Sequence, residues 1–156
     1  MFKLILFLII LTFFLPFFVV SCGDQELSFS GFETAFGKRA GNFIYQEGNP
    51  LTLILIIPSV ILLILTFFMR KMKEKIKQSF FFKNIFIIAP VFNIFAAVTV
   101  RVAAQIIVEN EIADLHIGLA NFVTLRTGYG FIIYIILNTA LLALASVNYF
   151  INIKRE

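Results

Sequence analysis

Few residues in this sequence have the type and spacing to do chemistry. Cys22 is the only cysteine in 156 residues. It follows Val19-Val20-Ser21, the order of an aliphatic, a tolerated and a small residue that precedes a lipidated cysteine in bacterial lipoproteins. One reading is cleavage between Ser21 and Cys22 with acylation of Cys22. The other is an uncleaved helix with Cys22 at the outer face of the bilayer; the single Lys3 before a long apolar run favours this second form over a short signal peptide. A lone cysteine excludes an intramolecular disulfide and a Cys-rich metal site. His116 is the only histidine, with Glu109, Glu111 and Asp114 near it in sequence. Their spacing is irregular, so they read as a solvated loop and no metal site is expected. Thr127-Gly128-Tyr129-Gly130 has the composition of a potassium-channel filter but is one residue short between the threonine and the first glycine. It runs straight into an apolar segment and reads as a glycine-rich helix start. No Ser-His-Asp set in a common register, nucleophile elbow or phosphate-binding glycine loop is present, so no enzyme and no cofactor is expected.

What positions these residues is hydropathy. Four apolar runs, Phe2–Val20, Leu51–Met69, Asn84–Val108 and Tyr129–Ile153, each have the length a bilayer core requires, about 17–25 helical residues. The hydrophobic fraction is 60% and the charged fraction 14%; a soluble domain has roughly half and a quarter. The expected fold is all-α: a polytopic bundle of four transmembrane helices at about 2–21, 51–69, 84–108 and 129–153, forming a single membrane domain. Outer loops cover 22–50 and 109–128, and a cytoplasmic loop covers 70–83. The net charge of +4 is concentrated in that last loop, where Arg70, Lys71, Lys73, Lys75, Lys77 and Lys83 face one acid, Glu74. With Lys3 and Lys154-Arg155 on the same side, the positive-inside rule puts both ends in the cytoplasm, provided segment one is uncleaved. The expected location is the inner membrane of a bacterium. The basic loop has little aromatic interleaving and topology explains it, so nucleic acid is not an expected partner.

Polar residues inside the spans are the default place to look for function. In segment three, Pro90, Asn93, Ala97, Arg101 and Ala104 share one helical arc, with Gln105 beside it. Segment four carries a matching stripe of Tyr134, Asn138, Ala145, Tyr149 and Asn152, with Asn148 flanking. Small residues allow close helix approach and the amides can hydrogen-bond across it. The stripes are expected to face each other, or to face Pro58 and Ser59 of segment two together. Arg101 is the most costly residue, at about 2.5–3.5 kcal/mol for an Arg at mid-helix. The simplest reading is a snorkelling side chain satisfied by Asn138, Tyr134 or Glu109. The alternatives are an ion pair with an outer-loop acid or a partner subunit, and a transport site. No Asp or Glu lies in the four runs.

Two stretches carry a resemblance. Leu15 to Gly23 reads LPFFVVSCG, and Leu27 to Gly37 reads LSFSGFETAFG. Together with Gly128-Tyr129-Gly130-Phe131 they resemble a pattern of uncharacterised small bacterial four-helix membrane proteins: a PFxxVSCG end to the first helix, an SGxxxAxG loop, and Gly-aromatic residues opening the last helix. Phe36 stands where those proteins more often carry a smaller residue. The resemblance implies an uncleaved first helix and no known activity. In the first outer loop, Phe29, Phe32, Phe36 and Phe43 suit water poorly and are expected to pack on the helix ends as a cap, or to dock a partner.

The expected function is therefore that of a non-enzymatic subunit or assembly component. It packs laterally against other membrane subunits or itself, with the lipid bilayer around it. A small oligomeric transporter or channel is the alternative, and a polytopic lipoprotein acylated at Cys22 is a further one.

Overall fold

Helix α1 (Phe2–Thr12) stops four residues before Pro16. The proline ring collides with the carbonyl four positions back and disfavours helical backbone at the preceding residue. The chain tightens first: the amides of Phe13, Phe14 and Leu15 donate to Ile10, Leu11 and Thr12. It then becomes strand β1 (Pro16–Cys22). The computed structural model describes residues 1–22, 24–40, 43–46, 48–68, 80–114 and 123–153. Segment one is thus no single helix over 2–21. Its helical part has 11 residues, about 16 Å at 1.5 Å per residue, against a hydrocarbon core of ~30 Å. The β-branched and aromatic run Phe17-Phe18-Val19-Val20 suits a strand at least as well as a helix.

β1 is the middle strand of an antiparallel sheet, between β2 (Gln25–Ser30) and β5 (Val123–Thr127). Val19 lies opposite Ser28 on one side and Arg126 on the other; Val20 lies opposite Leu27 and Leu125. A register shift between Pro16 and Phe18 lets two consecutive aromatic side chains, Phe17 and Phe18, both point inward. The fold is therefore mostly helical with a small sheet, not purely α, and the two outer loops expected at 22–50 and 109–128 hold strands. Between β2 and the next span lie α2 (Gly31–Phe36) and the ribbon of β3 (Lys38–Ala40) and β4 (Phe43–Gln46). Ser30 and Glu33 close a reciprocal capping box at the start of α2.

The second apolar run begins as a 3-10 turn (Pro50–Leu55) and becomes α-helical as α3 (Ile57–Phe68). Pro58 falls in the first turn of α3, where its missing N–H is tolerated. Helix α4 (Phe80–Asp114) extends beyond the expected 84–108 at both ends, and α5 is Tyr129–Ile153. Among the described residues, three helices are long and apolar enough to cross a membrane: Pro50–Phe68, Asn84–Glu109 and Tyr129–Asn148. The protein is a helical membrane protein on that ground.

α1 packs against α3 and α5 through the fully buried Leu6 and Ile9. Its first turn lies where α3 ends and α4 begins: Lys3 Nζ sits 4.1 Å from the Phe67 ring centre, and Phe2 meets Phe86 edge-on at 5.9 Å. Its other end leads into an aromatic cluster. Phe17 contacts Phe13, Phe131 and Tyr134 at centroid distances of 5.4, 5.7 and 5.8 Å. The first apolar run therefore follows the bundle from one end to the other, as a helix and then as a strand.

The start of α5 shows why its two glycines are there. The Gly128 amide donates to the Phe17 carbonyl at 2.8 Å. A methyl group on Gly128 would lie 2.3 Å from the Pro16 carbonyl oxygen, and one on Gly130 would lie 2.6 Å from Leu15 Cβ. The glycines let β1 cross directly over the helix start. Gly128→Ala and Gly130→Ala are each expected to destabilise the fold by about 1–3 kcal/mol or more, the usual cost of overpacking a tight contact. Thermal unfolding in detergent measures this; unchanged midpoints would mean β1 does not cross there.

Candidate functional site

The polar residues of the spans meet in the middle of the bundle. Asn93 on α4 donates through Nδ2 to Ser59 Oγ on α3 and to Asn138 Oδ1 on α5, both at 2.9 Å. Asn138 Nδ2 donates back to the Tyr134 carbonyl at 2.9 Å, and the Tyr134 hydroxyl donates to the Leu55 carbonyl at 2.6 Å. Leu55 is the last residue of the 3-10 turn, so Tyr134 ties α5 to the point where the second run changes helix type. Asn93, Asn138, Ser59 and Tyr134 are all 0% exposed. Ala97, Leu62 and Leu141 are buried with them.

The direction of this chain follows from its end. A backbone carbonyl can only accept, so Asn138 turns its nitrogen to Tyr134 and its oxygen to Asn93. Asn93 must then offer its nitrogen. That leaves Asn93 Oδ1 buried and, among the described residues, without a partner. Such an orphan costs about 1–3 kcal/mol. The cluster is neutral throughout: two amides, an alcohol and a phenol. It offers no carboxylate, imidazole or thiol to move a proton or attack a substrate.

Arg101 has other partners than those expected. It does not reach Asn138 or Tyr134. Its Nε donates to Thr127 Oγ1 at 3.0 Å and its Nη2 to the Leu125 carbonyl at 3.2 Å, both on β5. Its Nη1 donates to Gln105 Oε1 at 3.2 Å, and Gln105 Nε2 donates to Glu109 Oε1 at 2.9 Å. The carboxylate is reached only through Gln105. The physical reason is β5, which presents a carbonyl and a hydroxyl to the guanidinium beside α4. Arg101 thus pins the sheet to α4. Across that sheet, Glu26 and Arg126 approach to 4.0 Å, but both are exposed and such pairs contribute little.

No family model, curated protein or solved structure matches the chain. Function has to be read from the site itself.

The other residues singled out from the sequence fall as follows. Cys22 is the last residue of β1, paired with Gln25 and Val123. Arg70, Lys71, Lys73, Lys75 and Lys77 lie outside the described residues, as does His116; Lys83 lies in the first turns of α4. Ala145 is buried, Gln105 and Asn148 are exposed, and Tyr149 and Asn152 fall in the last turns of α5. Among the described residues, no three His, Cys, Asp or Glu side chains come together in a way that could hold a metal ion. Sequence reasoning missed Thr127 and Leu125 as partners of Arg101, and Leu55 as the acceptor for Tyr134. The alternation in Val123-Thr124-Leu125-Arg126-Thr127 was the available signal for the first two.

The Asn93–Asn138 contact has a measurable energy. In a double-mutant cycle of Asn93→Leu and Asn138→Leu, the coupling is expected to be about 0.6–1.7 kcal/mol, the range for hydrogen bonds between membrane helices. Unfolding equilibria in bicelles or mixed micelles give the four stabilities. Additive losses would remove the bond from the account of what joins α4 to α5.

Proposed function

We propose that the chain is a non-enzymatic integral membrane protein, a small subunit or assembly component that packs laterally in the bilayer. What carries this reading is the use of the polar groups within the spans. Ser59, Asn93, Tyr134 and Asn138 bond to one another or to backbone, and Arg101 bonds to β5 and Gln105. They lock three helices and a sheet into one body and hold no acid–base pair or activated nucleophile. Asn93 and Asn138 are sealed from solvent and line no open path.

The small and polar faces of 84–108 and 129–153 meet within the chain, where Asn93, Ala97, Asn138 and Ala145 are buried. Lateral contacts are left to the outward faces, such as the strip of Ile132, Ile136, Thr139 and Ala143 on α5. Lys3 lies beside Phe67, on the side where α3 leads toward Arg70. With that basic side in the cytoplasm, the three-stranded sheet lies outside. Cleavage before Cys22 would remove α1 and all of β1 but its last residue, and with them the buried Leu6, Ile9, Phe13, Phe17 and Phe18. That packing supports an uncut chain over the lipoprotein alternative.

Native mass spectrometry in mild detergent, with solute flux in proteoliposomes alongside, tests the subunit reading. A homo-oligomer or a membrane partner of fixed stoichiometry is expected, with no flux of common ions. A monomer, or reproducible flux, would overturn it; flux would pass the weight to the transporter or channel reading.

A further inference from the structure

We propose that the adjoining rings of Phe14, Phe32 and Phe36 sit among lipid acyl chains, making α2 a membrane-interface helix instead of part of a water-exposed loop. This rests on the membrane-embedded reading above and adds a lipid-binding surface to it. Phe14 and Phe32 stack at 6.0 Å between centroids with planes 17° apart, and Phe32 meets Phe36 at 4.6 Å. The three residues are 62%, 47% and 59% exposed. They form one apolar surface that the described residues leave uncovered.

The position of this surface on the bundle is fixed by hydrogen bonds. The Asn49 amide donates to the Thr34 carbonyl at 2.8 Å, which holds α2 beside Pro50, where the apolar span Pro50–Phe68 begins. The Phe32 amide donates to the Phe13 carbonyl at 3.0 Å, which ties the start of α2 to the end of α1. The opposite side of α2, at Gly31, Thr34 and Ala35, is buried against the protein. Only the phenylalanine side faces away.

Continuity identifies the occupant. On α1 the outward residues Leu4, Phe7 and Leu11 are exposed and recur at helical spacing, and Phe14 follows in the same series. Leu51 and Ile54, at the start of the second run, are exposed at the level of α2. The stack therefore extends the apolar surface that the outward side of α1 begins. Short amphipathic elements of this kind bury their apolar face about 5–10 Å into the headgroup–acyl boundary. The sequence has no tryptophan to fill that zone, and the phenylalanine stack takes the place of the usual aromatic belt.

The same lack of tryptophan makes the test clean. Phe32→Trp, Phe36→Trp and Phe95→Trp each install a single fluorophore, the last on the outward face of α4 within the span Asn84–Glu109. Each variant is reconstituted into phosphatidylcholine–phosphatidylglycerol vesicles with bromine near the headgroup end or near the tail end of the acyl chains. For Phe32→Trp and Phe36→Trp, emission is expected to fall at least about twofold with the shallow bromine and less with the deep one. Phe95→Trp is expected to respond more to the deep bromine. Quenching of both α2 variants by aqueous iodide but not by bromolipid would put the stack in water. Shielding from both quenchers would put a partner or a second copy over it. Either result overturns the proposal while quenching at Phe95→Trp leaves the membrane reading standing. Loss of bromolipid quenching at all three positions overturns both.

Discussion

Pro16 obliges the chain to leave helical geometry beside the apolar end of a helical bundle, and every backbone amide and carbonyl that follows must then find a partner in protein. A helix satisfies its own backbone; a strand buried among apolar side chains cannot. β1 meets the requirement by pairing on both sides, with β2 next in sequence and with β5 from the far part of the chain. Much of the architecture follows from that one need. β5 has to lie directly before the last span, so α5 begins under β1. That crossing is close enough to require Gly128 and Gly130. The outer strand must also be held in place, and Arg101 does so from α4 through a carbonyl and a hydroxyl of β5. An arginine that looks costly on a hydropathy plot thus serves as the clamp of the sheet.

The second organising element is the neutral cluster of Ser59, Asn93, Asn138 and Tyr134. Lipid offers no hydrophobic drive to bring spans together, so packing and hydrogen bonds between them must do so. Asn93 reaches both neighbours through a single nitrogen, which sets the rotation of α3 and α5 about α4. Tyr134 adds a bond to the backbone where the second run changes from 3-10 to α-helix. Being uncharged, the cluster avoids the large penalty of a buried ion. The sheet closes one end of the bundle and this cluster fixes its middle, so both parts of the polar inventory serve assembly of one body.

Hydropathy and helical spacing made part of this legible. The last helix has the bounds read from its apolar run, because glycines open it and Lys154-Arg155 follow it. The meeting of Asn93, Asn138 and Ser59 could be read because a helix maps sequence spacing directly onto a face. Segment one was misread for a physical reason. Hydropathy measures side-chain transfer, and an apolar strand scores as well as an apolar helix. Pro16 and the β-branched residues after it were the competing signal, and the length of the run outweighed them. Two of the three partners of Arg101, Thr127 and Leu125, lie 26 and 24 residues away on a strand. No periodicity within one segment points to such a contact. Cys22 suggested a lipidation motif from its local pattern, but its neighbours in space are set by the pairing of β1.

The conformation of Val19 and Val20 tests the central claim most directly. They form the one Val-Val pair in the sequence, so valine labelled with 13C at the carbonyl and 15N gives a single sequential signal in solid-state NMR of the protein in lipid bilayers. Adding 13C at Cα and Cβ reads the backbone at that pair. Extended-chain shifts, with contacts from Val19 to Arg126 and Ser28, are expected. Helical shifts would contradict the strand, make the first apolar run a fourth spanning helix, and remove the constraint from which the sheet, the glycines and the role of Arg101 follow.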